Sequence, residues 1–114
     1  VALKVSIRDV GEVRILDLDG RLVLGDDSKS FRERVKILVR AGKKKIILNL
    51  SNLSYIDSSG IAVLVASSQI ARSHGATLKL ANVGPKITEV LTMTKLTPVF
   101  DIYANEAAAI DSFA

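Results

Sequence analysis

The chain has 114 residues, enough for one packed core, and 48% of them are hydrophobic, enough to fill it. It has no cysteine, which excludes disulfides, thiol catalysis and cysteine-held metals and fits a reducing compartment. The net charge of +4 invites a nucleic-acid reading, but Lys43-Lys44-Lys45 has no interleaved aromatic for base stacking. Arg32, Arg34, Lys36 and Arg40 fall on a helix whose other positions are apolar, so the cations read as a solvated face and no direct nucleic-acid contact is expected.

Aliphatic strand and helix patterns alternate along the chain, as in an α/β layer arrangement. Leu3, Val5 and Ile7 alternate with polar residues as an edge or half-buried strand, and Val10-Gly11-Glu12 is the turn of an opening hairpin. A second strand runs from Val13 to Leu18. Leu22-Val23-Leu24 extends it beyond Gly20, and Gly25 closes it. Asp26, Asp27 and Ser28 are all good N-caps for a helix whose inner face is Phe31, Val35, Leu38 and Val39 and which Ala41-Gly42 stops.

Ile46 to Leu50 is short, branched and apolar, as a central strand should be, and Ser51-Asn52-Leu53-Ser54 reads as a loop leading from it. A buried helix covers Ile61 to Ala71 and ends at His74-Gly75. Thr77 to Ala81 is a further strand. Gly84-Pro85 opens a helix with Ile87, Val90 and Leu91 inside, Pro98 to Ile102 is extended, and Asn105 caps a last helix over Glu106 to Phe113. Met93 and Tyr103 read as ordinary packing, and His74 as a helix C-terminal residue favoured by the dipole. No apolar segment approaches the roughly 20 residues that span a bilayer, and no signal-peptide core opens the chain, so a cytoplasmic protein without membrane insertion is expected.

The polar residues of special interest converge on Tyr55-Ile56-Asp57-Ser58-Ser59-Gly60, where a strand hands over to a helix. Helix N-termini carry unpaired N–H groups and favour negative charge. One capping oxygen satisfies such a donor, so Asp57, Ser58 and Ser59 together leave at least one hydroxyl free as a phosphoacceptor. A hydrolase nucleophile elbow would place Gly where Ile56 stands. The sole histidine, His74, lies about 24 Å along the helix from Ser58 at 1.5 Å per residue, too far to serve as its base. No carboxylate pair, histidine cluster or Gly-rich phosphate loop is present; no enzyme, metal or tightly held cofactor is expected.

The segment Ile47 to Leu50, followed by Leu53-Ser54-Tyr55-Ile56-Asp57-Ser58-Ser59-Gly60-Ile61, resembles the signature of the STAS-domain anti-sigma factor antagonists. The resemblance takes in Gly20-Arg21-Leu22, Leu80-Ala81-Asn82-Val83, and Leu91 before the Leu96 to Phe100 stretch. It implies one STAS-like domain over residues 1–114, with a central mixed β-sheet of four to five strands and about four helices mainly on one face. It further implies a phosphorylation-controlled partner switch. The unphosphorylated antagonist binds an anti-sigma factor that is also a serine protein kinase and so frees a sigma factor. Phosphorylation of Ser58 releases the antagonist, and a serine phosphatase acting in trans restores it. The resemblance places Asp57, Ser59, Gly60 and Ile61 in the partner contact, with the loop Leu22 to Asp27, including Leu22, Asp26 and Asp27, beside them. Where the family commonly carries an aspartate after the Gly-Glu/Arg-Leu element, this chain has Val23, with Asp26 or Asp27 as possible stand-ins. The alternative reading is a STAS subunit of another assembly, such as a stressosome-like scaffold or an accessory subunit of a lipid-transport ATPase.

Overall fold

The computed structural model describes residues 3–114. Five strands, β1 (Lys4–Val10), β2 (Val13–Leu22), β3 (Lys45–Ile56), β4 (Thr77–Ala81) and β5 (Asp101–Tyr103), form one sheet in the order β1-β2-β3-β4-β5. The opening hairpin is antiparallel and every later pair is parallel, so the sheet is mixed. Helices α1 (Asp26–Arg40), α2 (Ser58–Ser73) and α3 (Pro85–Met93) each carry the chain between consecutive parallel strands. Right-handed crossovers that all step the same way along a sheet must place their helices on the same face. This topology explains why Phe31 and Val35 of α1, Ile61 and Leu64 of α2, and Ile87 and Leu91 of α3 share one core with Leu16, Leu48 and Leu80.

The opposite face is left to α4 (Glu106–Asp111), which sets Ala109 against Val13, Ile15, Ile47 and Ala81. Asn105 caps it as expected, accepting from Ala108 N–H at 2.8 Å. Polar anchors supplement this small apolar contact. Arg8 of β1 bridges Asp17 and Glu106, and Asn49 donates to Glu106 at 3.1 Å. Hydrogen bonding to the Arg8 guanidinium holds the Glu106 carboxyl below its ordinary value. Lys79, only 7% exposed, points its ammonium at the Phe113 ring (4.1 Å to the centroid) and the Tyr103 ring (5.1 Å) while donating to Ser112 Oγ at 2.6 Å. A buried cation held by ring faces and a hydroxyl escapes the full desolvation penalty. The Lys79→Met variant, which keeps the stem and drops the charge, is therefore expected to retain α4 and to match or exceed wild type in urea denaturation.

The structure corrects several expectations. Ser51 to Ser54 do not loop out, because β3 runs through them to Ile56. Asn49 Oδ1 accepts from Ser51 N–H at 3.0 Å, the local bond that makes such residues look like a turn in sequence. Strand β2 ends at Leu22, and Gly25, at φ 139°, is the N-cap residue of α1 with no side-chain cap. Asp26 and Asp27 instead fill the first turn, where the dipole favours acids. The segment from Pro98 divides into a 3₁₀ turn, Thr97–Val99, and β5. Met93 is not packed: it is 75% exposed.

Candidate functional site

At the C-terminal ends of β2 and β3 the chain makes two closely tied turns. Asp57 joins them. Its Oδ1 accepts from Gly60 N–H at 2.8 Å, capping α2, and its Oδ2 accepts from Leu24 N–H at 3.0 Å, holding the turn that follows β2. Its own N–H donates to Leu22 O at 3.3 Å, and its carbonyl accepts from Ile61 N–H at 3.0 Å. Both carboxylate oxygens and both backbone groups are thus engaged in tying the two turns together. Backbone N–H donors, Leu24 first and Gly60 second, hold the carboxyl below its ordinary value of 3.8.

Because Asp57 does the capping, Ser58 and Ser59 are free of it. Ser58, the first residue of α2, is exposed and Ser59 half-buried. Neither hydroxyl makes a hydrogen bond to another described residue, whereas Ser54, Ser67 and Ser73 all bond to backbone carbonyls. The surplus hydroxyl expected from the sequence is therefore present at the helix N-terminus.

Gly60 is constrained by packing. A Cβ built on it would lie 2.1 Å from Leu22 O and 2.6 Å from the Ile56 side chain, so only glycine lets the first turn of α2 lie against the end of β2. Leu22 is fully buried, and Gly60 and Ile61 are buried too. These three expected partner contacts lie in the floor of the site, beneath its exposed rim. Asp26 is exposed at the start of α1, whereas Asp27 is half-buried and accepts from Leu3 N–H at 3.0 Å. Of the two acids expected to stand in at Val23, Asp26 alone is free of a hydrogen bond to another described residue. The site's exposed rim is thus Leu24, Asp26, Ser58 and Tyr55, with Arg21 stacked over the Tyr55 ring at 5.1 Å.

Sequence reasoning places Leu24 in the loop beside the site but does not find its N–H bond to Asp57, nor that Tyr55 is exposed. The pairing of Arg21 with Tyr55 and of Leu22 with Ile56 brings them together, and that register is not written locally in either segment. The Asp57 clamp is sensitive to acid. A depressed carboxyl stabilises the fold above the unfolded value, about 3.9, and that contribution is lost as pH falls through the folded value. Asp57→Ala is expected to cost about 1–2 kcal/mol in urea denaturation at pH 7, with the gap to wild type narrowing at pH 3; an equal gap at both values would show that the charge contributes nothing.

The family model described as STAS domain matches residues 4–109. The chain belongs to the STAS-domain family. This STAS domain is 26% identical over 108 residues to the anti-sigma F factor antagonist of Paenibacillus polymyxa, covering 95% of this chain and 92% of that one. Its fold superposes on the crystal structure of a candidate anti-sigma factor antagonist from Thermotoga maritima with a TM-score of 0.87, at 27% identity, over 95% of this chain and 92% of the other. The Bacillus cell fate determinant SpoIIAA, in its phosphorylated form, shares the fold at a TM-score of 0.72 and 24% identity, over 99% of this chain and all of the other. No helix among the described residues of this STAS domain is long and apolar enough to cross a membrane.

Proposed function

We propose that this STAS domain is a cytoplasmic anti-sigma factor antagonist that works by partner switching, with Ser58 as the phosphoacceptor. Unphosphorylated, it binds an anti-sigma factor that is also a serine protein kinase and releases a sigma factor; phosphorylated on Ser58, it lets the kinase go until a phosphatase in trans removes the group. One observation carries the reading: Asp57 supplies the side-chain cap of α2 and leaves the Ser58 hydroxyl exposed at a helix N-terminus. There the dipole favours a phosphate. The similarity to anti-sigma factor antagonists from other bacteria supports the partner class.

Mass spectrometry of the protein isolated from its own cells, across growth and starvation, tests the assignment. Phosphate is expected on Ser58 and not on Ser59. Phosphate confined to Ser59, or absent in every condition, would sink the switch.

A further inference from the structure

Strand β3 is longer than the strand beside it. It pairs with β4 only over Lys45–Asn49, while its pairing with β2 continues through Asn52, Leu53, Tyr55 and Ile56. Beyond Asn49 no strand among the described residues lies on the β4 side of β3. The chain itself vacates that position: β4 ends at Ala81, Asn82 takes a left-handed φ of 55°, and Pro85 opens α3. Asn49 closes the fork, its Oδ1 accepting from both Ser51 N–H and Asn82 Nδ2.

Proteins usually blunt free strand edges with charge, proline or shortness. The outer strands here follow that rule, since β1 carries Lys4, Arg8 and Asp9 and β5 is three residues long. The free end of β3, Ser51-Asn52-Leu53-Ser54-Tyr55, has no charge and no proline, and only Leu53 in it is buried. Beside it lies a groove of about 280 Å³ between the end of β3 and α3, lined by Tyr55, Ile56, Ile87, Val90 and Met93 and flanked by Lys86 and Glu89. The two flanking charges have opposite sign, so the groove suits an uncharged segment. Strand β3 itself ends at Ile56 and runs directly into Asp57 and Ser58.

We infer that the free edge of β3 receives an extended, mainly uncharged segment of the same partner that meets Ser58, which adds as a sixth strand and places an apolar side chain in the groove beside Met93. Main-chain hydrogen bonds supply affinity in such strand addition and alternate side chains supply specificity. Four or five residues, about 17 Å of strand, fill the position. The inference rests on the proposed switch and specifies how its partner is held.

The probe is the serine-kinase anti-sigma factor from the same cells, added at saturation to the intact unphosphorylated chain. Those amides of Asn52 to Tyr55 that exchange freely in the isolated chain are expected to slow at least about tenfold in the complex. Met93→Glu, at a position exposed enough to leave folding intact, is expected to weaken binding about tenfold, a shift of 1.4 kcal/mol, while Ile37→Glu on α1 leaves it unchanged. If the kinase binds and Ser58→Asp weakens it, but those amides stay unprotected and Met93→Glu is neutral, the strand-addition inference is overturned and the switch stands. Protection that appears in the concentrated chain without kinase assigns the edge to a second copy and overturns it as well. Failure of the kinase to bind the unphosphorylated chain overturns both.

Discussion

Replacing Gly60 with alanine is expected to cost the fold about 3 kcal/mol, near the upper end of what overpacking one methyl usually does. The reason is the identity of the obstacle. The new Cβ would stand 2.1 Å from a backbone carbonyl, Leu22 O, which cannot rotate aside as a side chain would. That carbonyl also accepts from Asp57 N–H, so moving it disturbs the clamp that holds both turns. Thermal unfolding should show a drop in Tm of more than about 10 °C for a domain of this size. Gly84→Ala is the control, because a Cβ there meets nothing within 4 Å and the residue sits at a φ of −70°. Equal melting of the two variants would refute the packing account of Gly60.

Phosphorylation of Ser58 is expected to weaken the kinase complex at least about a hundredfold, or 2.7 kcal/mol, while leaving the melting temperature of the free domain within a few degrees. A phosphate brings about −1.5 to −2 charges. Asp57 beside it is held ionised by Leu24 and Gly60 N–H and has no proton to share. In the free protein the N-terminus of α2 attracts the group and Asp57 repels it, and water screens both. At a dehydrated interface the screening is gone, and an imperfectly paired dianion costs several kcal/mol. Ser58→Asp, with one charge, should lose less than the phosphoprotein; Ser58→Ala should bind whether or not kinase and ATP are present. Isothermal titration with each form separates the cases, and unchanged affinity of the phosphoprotein would end the switch reading.

Legibility in the sequence followed distance along the chain. The cap was readable because Asp57 reaches Gly60 three residues on. The role of Gly60 was not, since its obstacle, Leu22, arrives through strand pairing from 38 positions away in the chain. Ser51 to Ser54 look like a loop because their residue types favour local turns, and the turn-like bond to Asn49 does form inside a strand. Met93 was misplaced by its chemistry alone. With Ile87 and Leu91 buried one helical turn apart, position 93 falls on the opposite side of α3, where the 3.6-residue period puts solvent. That the helices lie mainly on one face is legible in the sequence, whereas α4 over the other face with the buried Lys79 is not, because neither a ring-held cation nor a covered strand face has a local pattern.

The strands lie in the sheet in the same order as they leave the ribosome. Each new strand finds its neighbour already made, and no gap is held open for one still to be synthesised. Chains lengthen by roughly 5–20 residues per second, slow beside the microseconds to milliseconds in which helices and hairpins form. The β2–α1–β3–α2 half, which holds Leu22, Asp57, Ser58 and Gly60, can therefore close as a platform while β5 and α4 are still being made; β5 then extends the sheet by one edge strand and α4 roofs its far face.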